Sequence, residues 1–196
     1  ESVGNLRSDI LAAALGENDL EVAENGDLRI VITDDYLRPE LEQINLQQQT
    51  SGKPWLLIKP VGMVLWIGPL MVPGETGCWS CLAHRLAANR QIETFIQEQG
   101  PRPDELVIST VARTANSESL AANLAATEVL KWLTNPTSSL LHGVLRTYDI
   151  ADHKFASHTL CRRPQCRTCG DPEWQLNANV PIALSSHRIK YSEDGG

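Results

Sequence analysis

Nothing in this 196-residue sequence is apolar over a stretch long enough to span a bilayer. The longest candidate, WLLIKPVGMVLWIGPLMV, is interrupted by Lys59, Pro60, Gly62, Gly68 and Pro69, and reads as two or three strands. Glycine-rich phosphate loops are missing as well. Neither G-x-G-x-x-G nor G-x-x-x-x-G-K-[ST] occurs, so the close backbone approach to phosphates used by dinucleotide and ATP folds has no support here. Basic surface is scarce: 17 Lys and Arg stand against 24 Asp and Glu, for a formal charge of -7. The basic residues are scattered apart from Arg162, Arg163 and Arg167, which argues against a nucleic-acid partner. The opening ESVGNLRSDILAAAL has neither the basic start nor the long apolar core of a signal peptide, so a cytoplasmic location is expected. Glu1 in place of a methionine points to a chain that begins inside a longer protein.

What is present is the profile of one globular domain with a sizeable core, 42% hydrophobic and 21% charged. NLRSDILAAALG carries Leu6, Ile10, Leu11, Ala14 and Leu15 at helical spacing, with Gly16 as the stop. LEVAENGDLRIVITDD offers two β-rich runs around Asn25-Gly26-Asp27, and the second, residues 28–33, reads as a buried parallel strand. A helix from Pro39 to Gly52, a strand in PWLLIKP and further strands in GMVLWIGPLMVP follow, the last kinked at Gly68-Pro69. The spacing then predicts a helix over 81–99, closed by Gly100-Pro101. ELVISTVA is either a strand or the approach to a helix. SESLAANLAATEVLKWLTN is the strongest helix, with Leu120, Leu124, Thr127, Val129, Leu130 and Leu133 as its expected apolar stripe. GVLRTYDI and HKFASHTL form two strands around a turn, and CRRPQCRTCGDP is a tight knuckle. Alternating strands and helices with later hairpins indicate an α/β sheet with antiparallel additions.

Five cysteines occur, and Cys78, Cys81, Cys166 and Cys169 form two C-x-x-C pairs far apart in the chain. Two such pairs are what tetrahedral zinc requires, because each turn presents two thiolates on one side. A thioredoxin-like redox motif has no use for the second pair, and a domain with its own core has no need of disulfide stapling. Four cysteine ligands leave no open coordination position, so such a zinc is structural. Cys161 is left over and reads as a buried thiol beside the site.

Other candidates have plainer alternatives. Asp34-Asp35 stands at the carboxyl end of a strand, where α/β folds place metal or ligand groups, but a helix cap next to Pro39 or a turn is the favoured reading. His84, His142, His153, His158 and His187 have no Ser, Cys or acid at recognisable spacing and read as surface or packing residues. Trp55, Trp66, Trp79 and Trp132 fall in apolar runs and are expected in the core, whereas Trp174 lies in a polar loop open to a partner.

Several stretches together resemble one family. LRIVITDDYLRPELEQIN, PWLLIKPVGMVLWIGPLMVPGETGCWSCLAHR, SLAANLAATEVLKWL and RPQCRTCG are similar to the ThiF-type, ubiquitin-activating-enzyme-like domain of thiazoline- and oxazoline-forming peptide cyclodehydratases, with the cyanobactin heterocyclases as the nearest resemblance. The similarity runs from about Asp27 to Gly170. It implies an α/β, ThiF-like Rossmann-type sheet with added antiparallel strands and a four-cysteine zinc clamp, lacking the amino-terminal phosphate-binding part. Residues 1–184 would be a docking domain and 185–196 a linker toward a YcaO domain. The resemblance further implies structural zinc on Cys78, Cys81, Cys166 and Cys169 and no catalytic or cofactor-binding residue in this chain. ATP and magnesium would be handled by the YcaO partner, and the leader of a ribosomal precursor peptide would be bound through an adjacent clamp segment. Neither nucleic acid nor membrane is an expected partner, and a homodimer is compatible with this organisation. The chain would then be the scaffold of an ATP-dependent heterocyclase that converts Cys, and in some systems Ser or Thr, to azolines. The alternative is an ATP-dependent adenylating enzyme, for which Asp34 or Asp35 would match the family's nucleotide-handling aspartate.

Overall fold

The computed structural model describes residues 1–4, 6–90, 112–171 and 173. Its centre is a six-stranded mixed sheet in the order β1-β2-β3-β4-β5-β6. The strands are β1 (Ser2–Val3), β2 (Arg29–Thr33), β3 (Trp55–Lys59), β4 (Val64–Met71), β5 (Val144–Asp149) and β6 (Lys154–Thr159). The first three are parallel and the last three add antiparallel, which is the mixed α/β sheet read from the sequence. β2 and β3 are dense in branched and aromatic residues because both of their faces are covered; Val31, Ile32, Trp55, Leu56, Leu57 and Ile58 are all buried.

The two faces carry different helices. Helices α2 (Glu40–Ser51) and α3 (Trp79–Asn89) pack on one face, where Leu41, Ile44, Trp79 and Leu82 meet Val31, Trp55 and Leu57. Helices α1 (Ser8–Gly16) and α4 (Ala115–Thr134) pack on the other, where Leu11, Ala14 and Leu15 meet Ile32, Leu56, Ile58 and the alanines of α4. α4 begins with a reciprocal cap: the Ser117 N–H donates to Thr114 Oγ1 at 3.1 Å and the Thr114 N–H donates to Ser117 Oγ at 3.3 Å.

Several sequence expectations are corrected. The run Leu20–Glu24 forms no strand; most of it is exposed, and β2 alone follows the turn. The kink expected at Gly68-Pro69 is present: β4 continues through this cis peptide bond, but Gly68 and Pro69 together oppose the single residue Leu57 of β3, which makes a bulge in the pairing. Tyr36 explains how that bulge is held. Its buried hydroxyl lies 2.6 Å from the Gly68 carbonyl and 2.9 Å from the Leu57 carbonyl, so its single O–H is shared between two backbone oxygens of adjacent strands, the shorter contact being to Gly68. On α4 the stripe is shifted: Ala121, Ala122, Ala125, Ala126 and Val129 are buried, whereas Leu120, Leu130 and Leu133 are 37–45% exposed. Methyl-sized side chains let α4 settle closely on α1 and the sheet, and the leucines are left outside the contact. Trp55 and Trp79 are core residues as expected, and Trp66 and Trp132 are half-buried against it. The segment 91–99, nearly all of ELVISTVA, Trp174, His187 and the 185–196 tail lie outside the described residues.

Candidate metal centre

The four cysteines predicted as a set are brought together. Cys78 stands at the N-cap of α3 and Cys81 in its first turn, while Cys166 and Cys169 come from the knuckle after β6. All four are buried, and their sulfurs lie within 4.8 Å of one another. The Cys78–Cys166 and Cys81–Cys169 Sγ separations are 3.6 and 3.5 Å, too long for disulfides. Thiolates placed tetrahedrally at about 2.3 Å from a zinc ion have edges of about 3.8 Å. The donor set and its spacing therefore fit a divalent, thiophilic metal.

The electrostatics point the same way. Hydrogen bonding to Cys169 favours the Cys78 thiolate, but the neighbouring Cys81 sulfur and burial outweigh it and push the Cys78 thiol up to about 11. Hydrogen bonds from Cys169 and Cys78 pull Cys81 strongly down, while Cys169 itself is pushed strongly up by Cys78 and Cys81. Four thiols packed in one small volume cannot all ionise without a cation among them.

The cluster is framed by groups that spacing alone did not reveal. The Arg163 N–H donates to Cys81 Sγ at 3.4 Å. Arg162 donates from Nε to the Cys169 carbonyl at 2.6 Å and from Nη1 to the Gly74 carbonyl at 3.1 Å, tying the knuckle to the loop before α3. Asn45 on α2 accepts from the Trp79 N–H at 3.1 Å and donates to Ser80 Oγ at 3.1 Å, and Ser80 in turn lies 3.0 Å from Thr168 Oγ1. Trp79 Nε1 donates to the Tyr36 carbonyl at 2.7 Å. The small polar residues of CWSC, CRTC and LEQIN thus hold two distant segments in one orientation. Cys161 does not join them. It is exposed, although its neighbour Leu160, just past the end of β6, is buried in the core.

Asp34 and Asp35 sit where expected, at the carboxyl end of β2, and both are occupied. Arg38 engages Asp34 with two parallel bonds of 2.8 Å, and Arg90 Nη1 reaches Asp35 Oδ2 at 2.6 Å. Asp35 Oδ1 also accepts from the Leu37 N–H at 2.7 Å. Gly4, with φ of 95°, lies so close to Asp34 that a Cβ there would be 2.8 Å from its Oδ2. The hydrogen bonds from Arg38 hold the Asp34 carboxyl below the usual carboxylate range. With the folded value depressed, this stabilisation is present above about pH 4 and is lost as the pH falls through the folded value. Arg38→Ala is expected to cost about 1 kcal/mol near neutrality, consistent with a partly exposed pair. Urea denaturation at a series of pH values should show the difference from wild type vanishing once Asp34 is protonated.

Among the described residues, the histidines do not converge on a site. His142 Nε2 lies 3.4 Å from a Glu75 carboxylate, His153 Nδ1 is 2.6 Å from the Tyr148 hydroxyl, and His158 Nε2 is 3.2 Å from Thr147 Oγ1. His84 is on the exposed side of α3.

Solved structures share this fold. A heterocyclase in complex with substrate and cofactor aligns over 94% of this chain with a TM-score of 0.79 and 38% identity. The heterocyclase TruD aligns over 96% with a TM-score of 0.81 and 39% identity. The fold is that of a ThiF-like heterocyclase domain. This ThiF-like domain covers 26% and 29% of those two proteins' length. E. coli MccB aligns over 89% of the domain and 44% of its own chain at 22% identity and a TM-score of 0.53, a likeness of fold alone. No family model matches the domain, and no curated protein matches it by sequence. Among the described residues, no helix is long and apolar enough to cross a membrane.

Proposed function

We propose that this domain is the non-catalytic docking domain of an ATP-dependent peptide heterocyclase, which presents a ribosomal precursor peptide to a YcaO partner that forms the azoline rings. The observation that carries the reading is the state of the β2 acids. An adenylating enzyme needs a carboxylate free to meet magnesium and nucleotide, whereas Asp34 and Asp35 are both held by arginines, and Asp34 is packed against Gly4. No residue here is given a bond-making role. Residues 1–184 act as the docking unit and 185–196 as the join to the partner.

Cys78, Cys81, Cys166 and Cys169 hold structural zinc in this reading, supported by their burial and sulfur spacing. The ion would supply cross-linking charge between the start of α3 and the knuckle and would take no part in the reaction. What the chain itself contributes is orientation: Arg162, Asn45, Ser80 and Thr168 lock the knuckle onto α2 and α3.

Reconstitution tests the proposal. A YcaO partner and precursor peptide are incubated with ATP, with and without this domain, and water loss from the peptide is followed by mass spectrometry. Ring formation should fall sharply without the domain, while ATP turnover stays with the partner. Release of pyrophosphate by this domain alone with the peptide would overturn the proposal in favour of adenylation.

A further inference from the structure

Among the described residues, no further strand pairs with the last strand of the sheet. All six residues of β6 are exposed, including Phe155 at 50%, and β6 pairs only with β5 among the described residues. The direction of its backbone groups follows from the ladder. The Leu160 N–H donates to the Gly143 carbonyl at 2.8 Å, so His158, Ala156 and Lys154 bond inward to β5 while Phe155, Ser157 and Thr159 turn their N–H and C=O outward. Arg85 confirms the phase by donating from Nη1 to the outward Thr159 carbonyl at 3.1 Å. Among the described residues, the outward amides and carbonyls of Phe155 and Ser157 have no partner.

Along the Ser157–Thr159 half of this edge the charged side chains are basic. Arg146 lies directly across from Ser157, with its guanidinium 5.3 Å from the Phe155 ring centroid. Its Nε is buried with no hydrogen-bond partner, an unspent donor in a group that ordinarily finds a carboxylate. Ser157 is small enough for the guanidinium to reach over it toward a strand laid alongside. Arg85 and His158 flank the same half of the edge, whereas Asp149 and Asp152 sit at the turn, where Asp152 is paired with Lys154 at 3.1 Å.

We propose that the open edge of β6 captures an extended acidic peptide by strand addition: its backbone pairs with Phe155 and Ser157, and a carboxylate meets Arg146. Backbone pairing gives affinity, and the Arg146–Phe155 pair selects a strand that alternates acidic and apolar residues. A second copy of this chain fits less well. Two-fold pairing about Ala156 would set Lys154 opposite His158 of the copy, basic against basic. The surface is separate from the cysteine cluster and does not depend on the docking role.

Calorimetric titration with an acetylated, amidated heptapeptide of alternating glutamate and valine tests this, with the lysine-valine analogue as control. The expected result is saturable binding of the acidic peptide alone. Arg146→Gln should weaken it by about tenfold or more. Ser157→Pro removes an outward N–H and leaves the inward ladder intact, so it should abolish binding with an unchanged circular dichroism spectrum. No binding of the acidic peptide, equal binding of both peptides, or full affinity in the Arg146→Gln variant would overturn the proposal. So would sedimentation showing a dimer that Ser157→Pro dissociates, which would give the edge to a second copy.

Discussion

Replacing Cys169 by serine is expected to cost this chain several kcal/mol of stability and to abolish stoichiometric metal binding. Structural zinc sites contribute about 10–16 kcal/mol of apparent folding free energy in small zinc modules, and losing one of four ligands forfeits much of that. At about 2–4 °C per kcal/mol for a domain of this size, Tm should fall by more than about 10 °C. The loss is large because the cluster is the junction between α3 and the knuckle, whose other side-chain ties among the described residues are Arg162 and the Ser80–Thr168 contact. Calorimetry and metal analysis of the wild type, the Cys169→Ser variant and chelator-treated wild type check this together. Chelation should reproduce the variant's loss; a variant as stable as the wild type, or a wild type indifferent to chelation, would remove zinc from the account.

Gly170→Ala is expected to act on the same site without touching a ligand. A Cβ at Gly170 would lie 2.3 Å from the Pro164 carbonyl oxygen and 2.4 Å from that of Cys166. Both are backbone atoms of the knuckle, so no side chain can swing aside to make room. The Gly170 N–H also closes the turn by donating to the Cys166 carbonyl at 2.8 Å. Adding a methyl group must open that turn and spread Cys166 from Cys169. Metal affinity should fall on the order of 10–100-fold, the usual scale for disturbing the groups that orient ligands, or further if the turn unravels. Competition with a chromophoric chelator measures it; unchanged affinity would mean that the knuckle is looser than its geometry requires.

The two predictions rest on features of unequal visibility in the sequence. The ligands were legible because C-x-x-C is a local pattern, and four thiols need only two turns to become a site. Gly170 and the Asn45–Ser80–Thr168 chain were not, because their roles depend on contacts between segments far apart in sequence. The strand residues of β2 and β3 declared themselves by unbroken branched apolar runs. α4 was recognised as a helix, but its buried side was misread, since size ranks leucine above alanine while close helix packing rewards alanine. Asp34 and Asp35 were placed correctly at a strand end. Their engagement by Arg38 and Arg90 turns on the fold around the strand, and Arg90 stands far along the chain. Cys161, expected inside, lies exposed two residues beyond the end of β6.

Titration of this chain with Mg-ATP in a calorimeter bears most directly on the claim that it docks a peptide and performs no nucleotide chemistry of its own. No saturable heat is expected at millimolar nucleotide, because Asp34 and Asp35 are already held by Arg38 and Arg90. Saturable binding at micromolar Mg-ATP would contradict it and make the chain an activating enzyme.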